Sequence, residues 1–127
     1  MSDRRRLIVL LVNTDPRHGP ELGAPLYHAA VAAAMDYDVD VICTAAAGAL
    51  MKKGVAESLR IKPDSPKTVL DFIRNAHEAG ARFLCCSANL ELHDMTETDM
   101  IPECSGLVGT ASFMAEIMET DARVLTY

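Results

Sequence analysis

Uninterrupted apolar runs alternate along this chain with stretches in which apolar positions recur at helical spacing. Leu7 to Val12 is apolar throughout and stops at Asn13-Thr14-Asp15-Pro16, the pattern of a strand buried on both faces. From Leu22 the apolar positions recur at Leu26, Ala29, Ala30, Ala33 and Tyr37, which predicts a helix able to carry Pro25 only in its first turn. Val39 to Cys43 predicts a second strand, and Thr44 to Lys53 a helix of small residues closed by Gly54. Val55 to Lys67, with Pro63 and Pro66, reads as loop with one helical turn and as the most mobile segment. Thr68 with Asp71 offers a capping-box start, with Ser65-Pro66 as an alternative start. Val69, Phe72, Ile73 and Ala76 then share one apolar face, and Gly80 ends the helix. Arg82 to Cys85 or Cys86 predicts a third strand, Ser105 to Val108 a fourth, Gly109 to Glu119 a last helix and Arg123 to Thr126 a fifth strand.

Strands alternating with crossovers of helical length predict a three-layer α/β/α architecture around a mostly parallel five-stranded sheet. The 127 residues suffice for one domain with a real core, so residues 1–127 are taken as a single domain with a single site. Aromatic residues are only 5 % of the chain, and the core must be built largely from Ala, Leu, Ile, Val and Met.

Charge narrows the function classes. A net charge of -6 argues against a nucleic-acid binder, because the basic run is confined to Arg4-Arg5-Arg6. That run before Leu7 to Val12 superficially resembles a signal peptide. The apolar stretch is too short to span a membrane and lacks a small-residue cleavage pattern, so it is read as a strand of a cytoplasmic protein.

The four cysteines are Cys43, Cys85, Cys86 and Cys104, and no pair has the spacing of a zinc knuckle or a thioredoxin-type motif. Free thiols remain, buried or reactive. Cys85 and Cys86 end the third strand, where open α/β sheets collect functional groups. Adjacent strand residues point to opposite faces, so one of the two is expected in the core and the other at solvent. A helix start just after Cys86, capped by Ser87, would favour its thiolate; the plainer alternative is a cysteine packed as a small hydrophobe.

Other candidates divide the same way. Glu91, Asp94, Glu97, Asp99 and Glu103 follow Cys86, with His93 among them; they read either as a solvated loop or as a docking rim for a basic partner, and their field would oppose a thiolate. Cys104 is a possible secondary thiol that could resolve a disulfide or receive sulfur from Cys86, and equally the last residue before the fourth strand. Cys43 reads as packing. His18, His28 and His77 lack triad-like neighbours. Gly106-Leu107-Val108-Gly109 has the form of an anion-binding turn but reads better as close strand-helix packing.

The run Gly80-Ala81-Arg82-Phe83-Leu84-Cys85-Cys86-Ser87-Ala88-Asn89-Leu90-Glu91-Leu92, then Met100-Ile101-Pro102 and Gly106-Leu107-Val108-Gly109-Thr110-Ala111-Ser112-Phe113, resembles the DsrE-like sulfurtransferase family. The resemblance implies a cytoplasmic protein that takes sulfane sulfur as a cysteine persulfide and passes it on. It places the sulfur-binding cysteine at Cys86, and the adjacent Cys85 resembles the double-cysteine variant tied to sulfur oxidation. It further implies a homo-oligomer, a trimer before a hexamer, TusA-like or rhodanese-like partners, and neither a metal nor an organic cofactor; the acidic charge itself makes Glu91, Asp94 and Glu97 the expected docking residues for a partner with a basic face. Two rivals stand beside it: a non-catalytic assembly or regulatory subunit of the same family, and a flavodoxin-like cofactor binder, which the alternating architecture permits.

Overall fold

The computed structural model describes residues 5–127, so Arg4 of the basic run lies outside the described residues. Strands β1 (Arg6–Leu11), β2 (Asp38–Cys43), β3 (Arg82–Cys86), β4 (Cys104–Val108) and β5 (Arg123–Thr126) form one all-parallel sheet in the order β4-β3-β2-β1-β5. Helix α1 (Pro20–Ala34) links β1 to β2, α2 (Val69–Ala79) leads into β3, α3 (Asn89–Leu92) is a single turn after β3, and α4 (Thr110–Glu119) carries the chain from β4 back to β5 beside β1. This is the α/β fold with a five-stranded parallel sheet that the alternating pattern predicts. No described helix is long and apolar enough to cross a membrane.

The period of two along each strand sorts the core into two unequal parts. Val9, Leu11, Val39, Val41, Cys43, Phe83 and Cys85 face one side, where α1, α2 and the 3-10 turn Ala45–Met51 close over them. Ile8, Ile42, Leu84 and Cys86 face the other, where Phe113 of α4 is buried against them and Ile117 and Ala122 add partial cover.

Local signals explain the boundaries. Thr68 and Asp71 make the reciprocal capping box at the start of α2, and Gly80, at φ 116, ends it in the left-handed conformation that glycine adopts without steric cost. Segment 44–53 departs from the expected regular helix: Ala45–Met51 is 3-10, with Gly48 pressed against Asn89 so closely that a Cβ there would lie 2.3 Å from Asn89 Cγ. The tighter winding fits alanines and a glycine into a gap that a full α-turn with larger side chains would overfill. In β4 the pairing shifts between Phe83↔Cys104 and Leu84↔Gly106, so Ser105 is the extra residue of a bulge and Gly106 takes φ 145.

Charges occupy the sheet where α4 ends. Asp40 is buried on β2 and accepts from Arg6 Nη2 at 2.9 Å and from Arg82 Nε and Nη2, both at 2.9 Å. Arg6 also pairs with Glu116 of α4. Burial pushes the Asp40 carboxyl up, but the hydrogen bonds from Arg82 and Arg6 and their two charges outweigh it and hold it below the ordinary carboxylate range.

Candidate functional site

The end of β3 and the loops beside it assemble the four thiols into two separate environments. Cys43 and Cys85 are register partners on β2 and β3, and both enter the larger core, against which Cys104 of β4 is packed. Cys86 points through the sheet to the α4 side. The expectation that one of the adjacent cysteines is core and one reaches solvent is therefore corrected: they do face opposite ways, but Cys85 is 0 % and Cys86 2 % exposed. What covers Cys86 is α4, whose Phe113 shares its cluster and whose Thr110 Oγ1 lies 3.7 Å from its Sγ.

The two environments set opposite acidities. Burial pushes the Cys43, Cys85 and Cys104 thiols up, and for Cys43 the neighbouring sulfurs add to it. Burial also works against ionisation of Cys86, yet the backbone N–H of Ala88 and the hydroxyls of Thr110 and Thr44 hydrogen-bond its sulfur and hold it below the ordinary thiol range. The source of this stabilisation differs from the expected one. Ser87 does not cap the turn after β3: Ala88 is the N-cap of α3, with no side-chain capping bond, and a four-residue helix has little dipole to offer.

Asn89 organises the other side of the strand end. Its side chain is 1 % exposed, and Nδ2 donates to the Cys43 carbonyl at 2.7 Å and to Cys85 Sγ at 3.3 Å. Together with the Gly48 contact, this fixes the exit of β2 against that of β3. His93 Nε2 donates to the carbonyl of Ala45 at 2.7 Å, and Ala45 sits at φ 48, a left-handed conformation that costs an alanine about 1–2 kcal/mol. The chain just past β2 is thus held under strain next to the candidate thiol.

Remaining candidates fall into place around this frame. Glu91 on α3, Asp94 just past it and Glu97 at the start of the 3-10 turn Glu97–Asp99 are all exposed, while Glu103 is tied to Arg74 at 3.2 Å and Asp99 caps its own turn through Thr96. Cys104 lies on the side of Cys85, its Sγ 3.7 Å from Met100 Sδ and 3.5 Å from the Gly106 carbonyl, and the sheet separates it from Cys86. Among the described residues no group of three or more His, Cys, Asp or Glu is placed to hold a metal ion. Beyond the paired ends of β1 and β5, the Tyr127 carbonyl accepts from the Val12 and Asn13 N–H groups at 2.8 and 3.0 Å, continuing the contact between the two strands. Sequence reasoning missed Thr44 and Thr110 as neighbours of Cys86. The signal available was position alone: each is a hydroxyl residue just past a strand end.

This fold and thiol site define a class. Residues 45–125 match the DsrE/DsrF/DrsH-like family, and the chain belongs to it, a membership that points to a role related to sulfur relay. None of the curated proteins matches the sequence. Two solved structures share the fold. The ychN protein from E. coli aligns with a TM-score of 0.74 at 13 % identity, over 98 % of this chain and 99 % of that one. The MTH1491 protein of unknown function from Methanobacterium thermoautotrophicum aligns with a TM-score of 0.65, also at 13 % identity, over 98 % of this chain and 100 % of that one.

Proposed function

We propose that the chain is a sulfurtransferase that carries sulfane sulfur as a persulfide on Cys86. The observation that supports this best is the placement of the four cysteines: Cys43, Cys85 and Cys104 pack in or against the larger core, while Cys86 faces α4 with the Thr110 hydroxyl 3.7 Å from its sulfur, an environment that favours its thiolate. The thiolate attacks the outer sulfur of a donor persulfide, the S–S bond of the donor breaks, and its electron pair leaves with the donor as a thiolate. Cys86 then carries the sulfur until an acceptor thiolate removes it by the same displacement. Each step exchanges one S–S bond for another, so no oxidant and no cofactor is consumed. The adjacent Cys85 fits the double-cysteine members tied to sulfur oxidation, and we place the protein in that setting.

Intact mass after incubation with polysulfide tests the assignment. Wild-type protein, Cys85→Ser and Cys104→Ser are expected to gain sulfur, and Cys86→Ser to gain none. Equal and complete loss in Cys85→Ser and Cys86→Ser would show that the pair acts as a unit and would overturn separate roles. The burial of Cys86 favours one other reading, a non-catalytic assembly or regulatory subunit. That reading requires Cys86 to react with alkylating agents no faster than free cysteine at neutral pH and never to gain sulfur mass.

Partners follow from the surface. The exposed Glu91, Asp94 and Glu97 form a rim suited to a TusA-like or rhodanese-like carrier with basic residues around its own cysteine. Replacing the three by Gln, Asn and Gln is expected to leave stability within about 0.5 kcal/mol and loading from polysulfide unchanged. Transfer to the partner slows at low salt and loses its salt dependence. Wild-type transfer rates in that variant would reduce the rim to a solvated face. Tyr27 and Val31 on α1, Met35 just past its end, Met114 and Met118 on α4, and Val124 and Leu125 on the edge strand β5 are large apolar side chains left at the surface, which supports a homo-oligomer, a trimer before a hexamer. Light scattering that returned a single-chain mass at micromolar concentration would remove the oligomer.

A further inference from the structure

We propose that Thr44 and Thr110 are further catalytic residues of this site, two hydroxyls that together donate to the ionised sulfur of Cys86 from either side of the strand end. The proposal rests on the reading of Cys86 as the sulfur carrier and adds what makes it one. Strand register brings the two threonines to it. Cys43 pairs with Cys85, so Thr44, the next residue, falls at the level of Cys86; on the opposite flank Cys86 pairs with Val108, and Thr110 opens α4 two residues later.

Neither hydroxyl is engaged in capping. Thr44 occupies the N-cap of the Ala45–Met51 turn in extended conformation, where threonine ordinarily accepts from the turn's own N–H groups, yet it makes no side-chain capping bond. Two residues past Ile42, which shares the Cys86 cluster, Thr44 continues the same face of the extended chain at the level of Cys86, and its hydroxyl is among the groups that hold that thiol down. Ala45, held left-handed with its carbonyl bonded to His93, fixes the chain beside Thr44. In α4 the N-cap is Gly109, which has no side chain, and the hydroxyl of the following Thr110 lies 3.7 Å from Cys86 Sγ. With Cys86 2 % exposed, water cannot solvate a thiolate there, and these hydroxyls with the Ala88 N–H take its place.

The same donors serve both halves of transfer. They stabilise the attacking thiolate during loading, and they stabilise Cys86 as the leaving thiolate when an acceptor removes the outer sulfur, because a leaving thiol of lower pKa departs faster. Thr110 adds a condition, since it is delivered by α4: the cradle is complete only while that helix is seated.

The test is the pH profile of alkylation of Cys86 by iodoacetamide in the full chain, with the label located by fragmentation, for the wild type, Thr44→Val, Thr110→Val, Thr44→Ser and Thr110→Ser. The amplitude of the profile reports access past α4, and its midpoint reports the thiolate. Each valine variant is expected to raise the midpoint by about one pH unit, which is about a tenfold loss of thiolate at fixed pH, and each serine variant to keep the wild-type midpoint. Alanine variants, which add no bulk, replace any valine variant that fails to fold. Midpoints unmoved by loss of both hydroxyls, or moved equally by serine and valine, overturn the proposal. Sulfur loading from polysulfide is measured in parallel. A wild type that never loads while the midpoints shift sinks the carrier reading and keeps the cradle; a wild type that loads while the midpoints stay put does the reverse.

Discussion

The two faces of the sheet are built to different specifications. On one, α1, α2 and the Ala45–Met51 turn bury three strands' worth of aliphatic side chains together with Cys43 and Cys85. On the other, α4 rests on Ile8, Ile42, Leu84 and Cys86 through Phe113, with Ile117 and Ala122 at the margin and the Arg6–Glu116 pair at its far end. A cysteine gains from the first environment as a small hydrophobe, and burial there outweighs even the Asn89 amide that donates to Cys85. In the second, the cover is a single helix, and the hydroxyls and N–H at its edge favour the charged form of a buried sulfur. Adjacent residues of one strand can thus be placed in unlike surroundings, because the sheet itself is the partition.

Substitution on each face sharpens this contrast. The largest effect is expected from Phe83→Ala, which empties the centre of the thick face and costs about 3–5 kcal/mol in denaturant unfolding, with alkylation of Cys86 in the native state little changed. Phe113→Ala is expected to cost less, about 2 kcal/mol, because α4 can resettle, while Cys86 alkylation speeds several-fold as the cover loosens. If Phe113→Ala leaves alkylation at the wild-type rate, α4 is not what shields the sulfur and the two-face contrast fails.

A smaller effect separates the faces by pH. Asp40→Asn is expected to cost about 1–2 kcal/mol at neutral pH, since Arg6 and Arg82 lose a charged partner. The carboxyl's folded pKa lies below its unfolded value. Its stabilisation is therefore complete above the ordinary carboxylate range and is lost as pH falls through the depressed value. The stability gap between wild type and Asp40→Asn closes over that acid window and not on the alkaline side. A gap independent of pH would mean that packing of the side chain, and not its charge, holds this end of the sheet. The smallest effect is expected from Cys85→Ser, about 1 kcal/mol, with the Cys86 alkylation midpoint unchanged. A midpoint that moves with Cys85 would show that the sheet does not isolate the two thiols.

Local patterning determined most of the architecture. A continuous apolar run identifies β1, the short stretch Val39 to Cys43 identifies β2, the Thr68–Asp71 box and Gly80 bracket α2, and the alternation of elements implies a parallel sheet, because each of these follows from contacts within a few residues. The motif around Cys85 and Cys86 likewise carries the family. Segment 44–53 escaped because its small residues fit either helix type, and the side chain packed against its Gly48, that of Asn89, comes from some forty positions away. Period two shows that Cys85 and Cys86 face apart, but which of them meets the thick core depends on the side to which α1, α2 and α4 cross. The sequence by itself thus determined the elements and singled out Cys86. Only the tertiary structure decided that Cys86 is covered, that Thr44, Ala88 and Thr110 surround it, and that Cys104 is on the wrong side to reach it, because burial and hydrogen-bond partners are set by strand register and crossover, which join residues far apart in the chain.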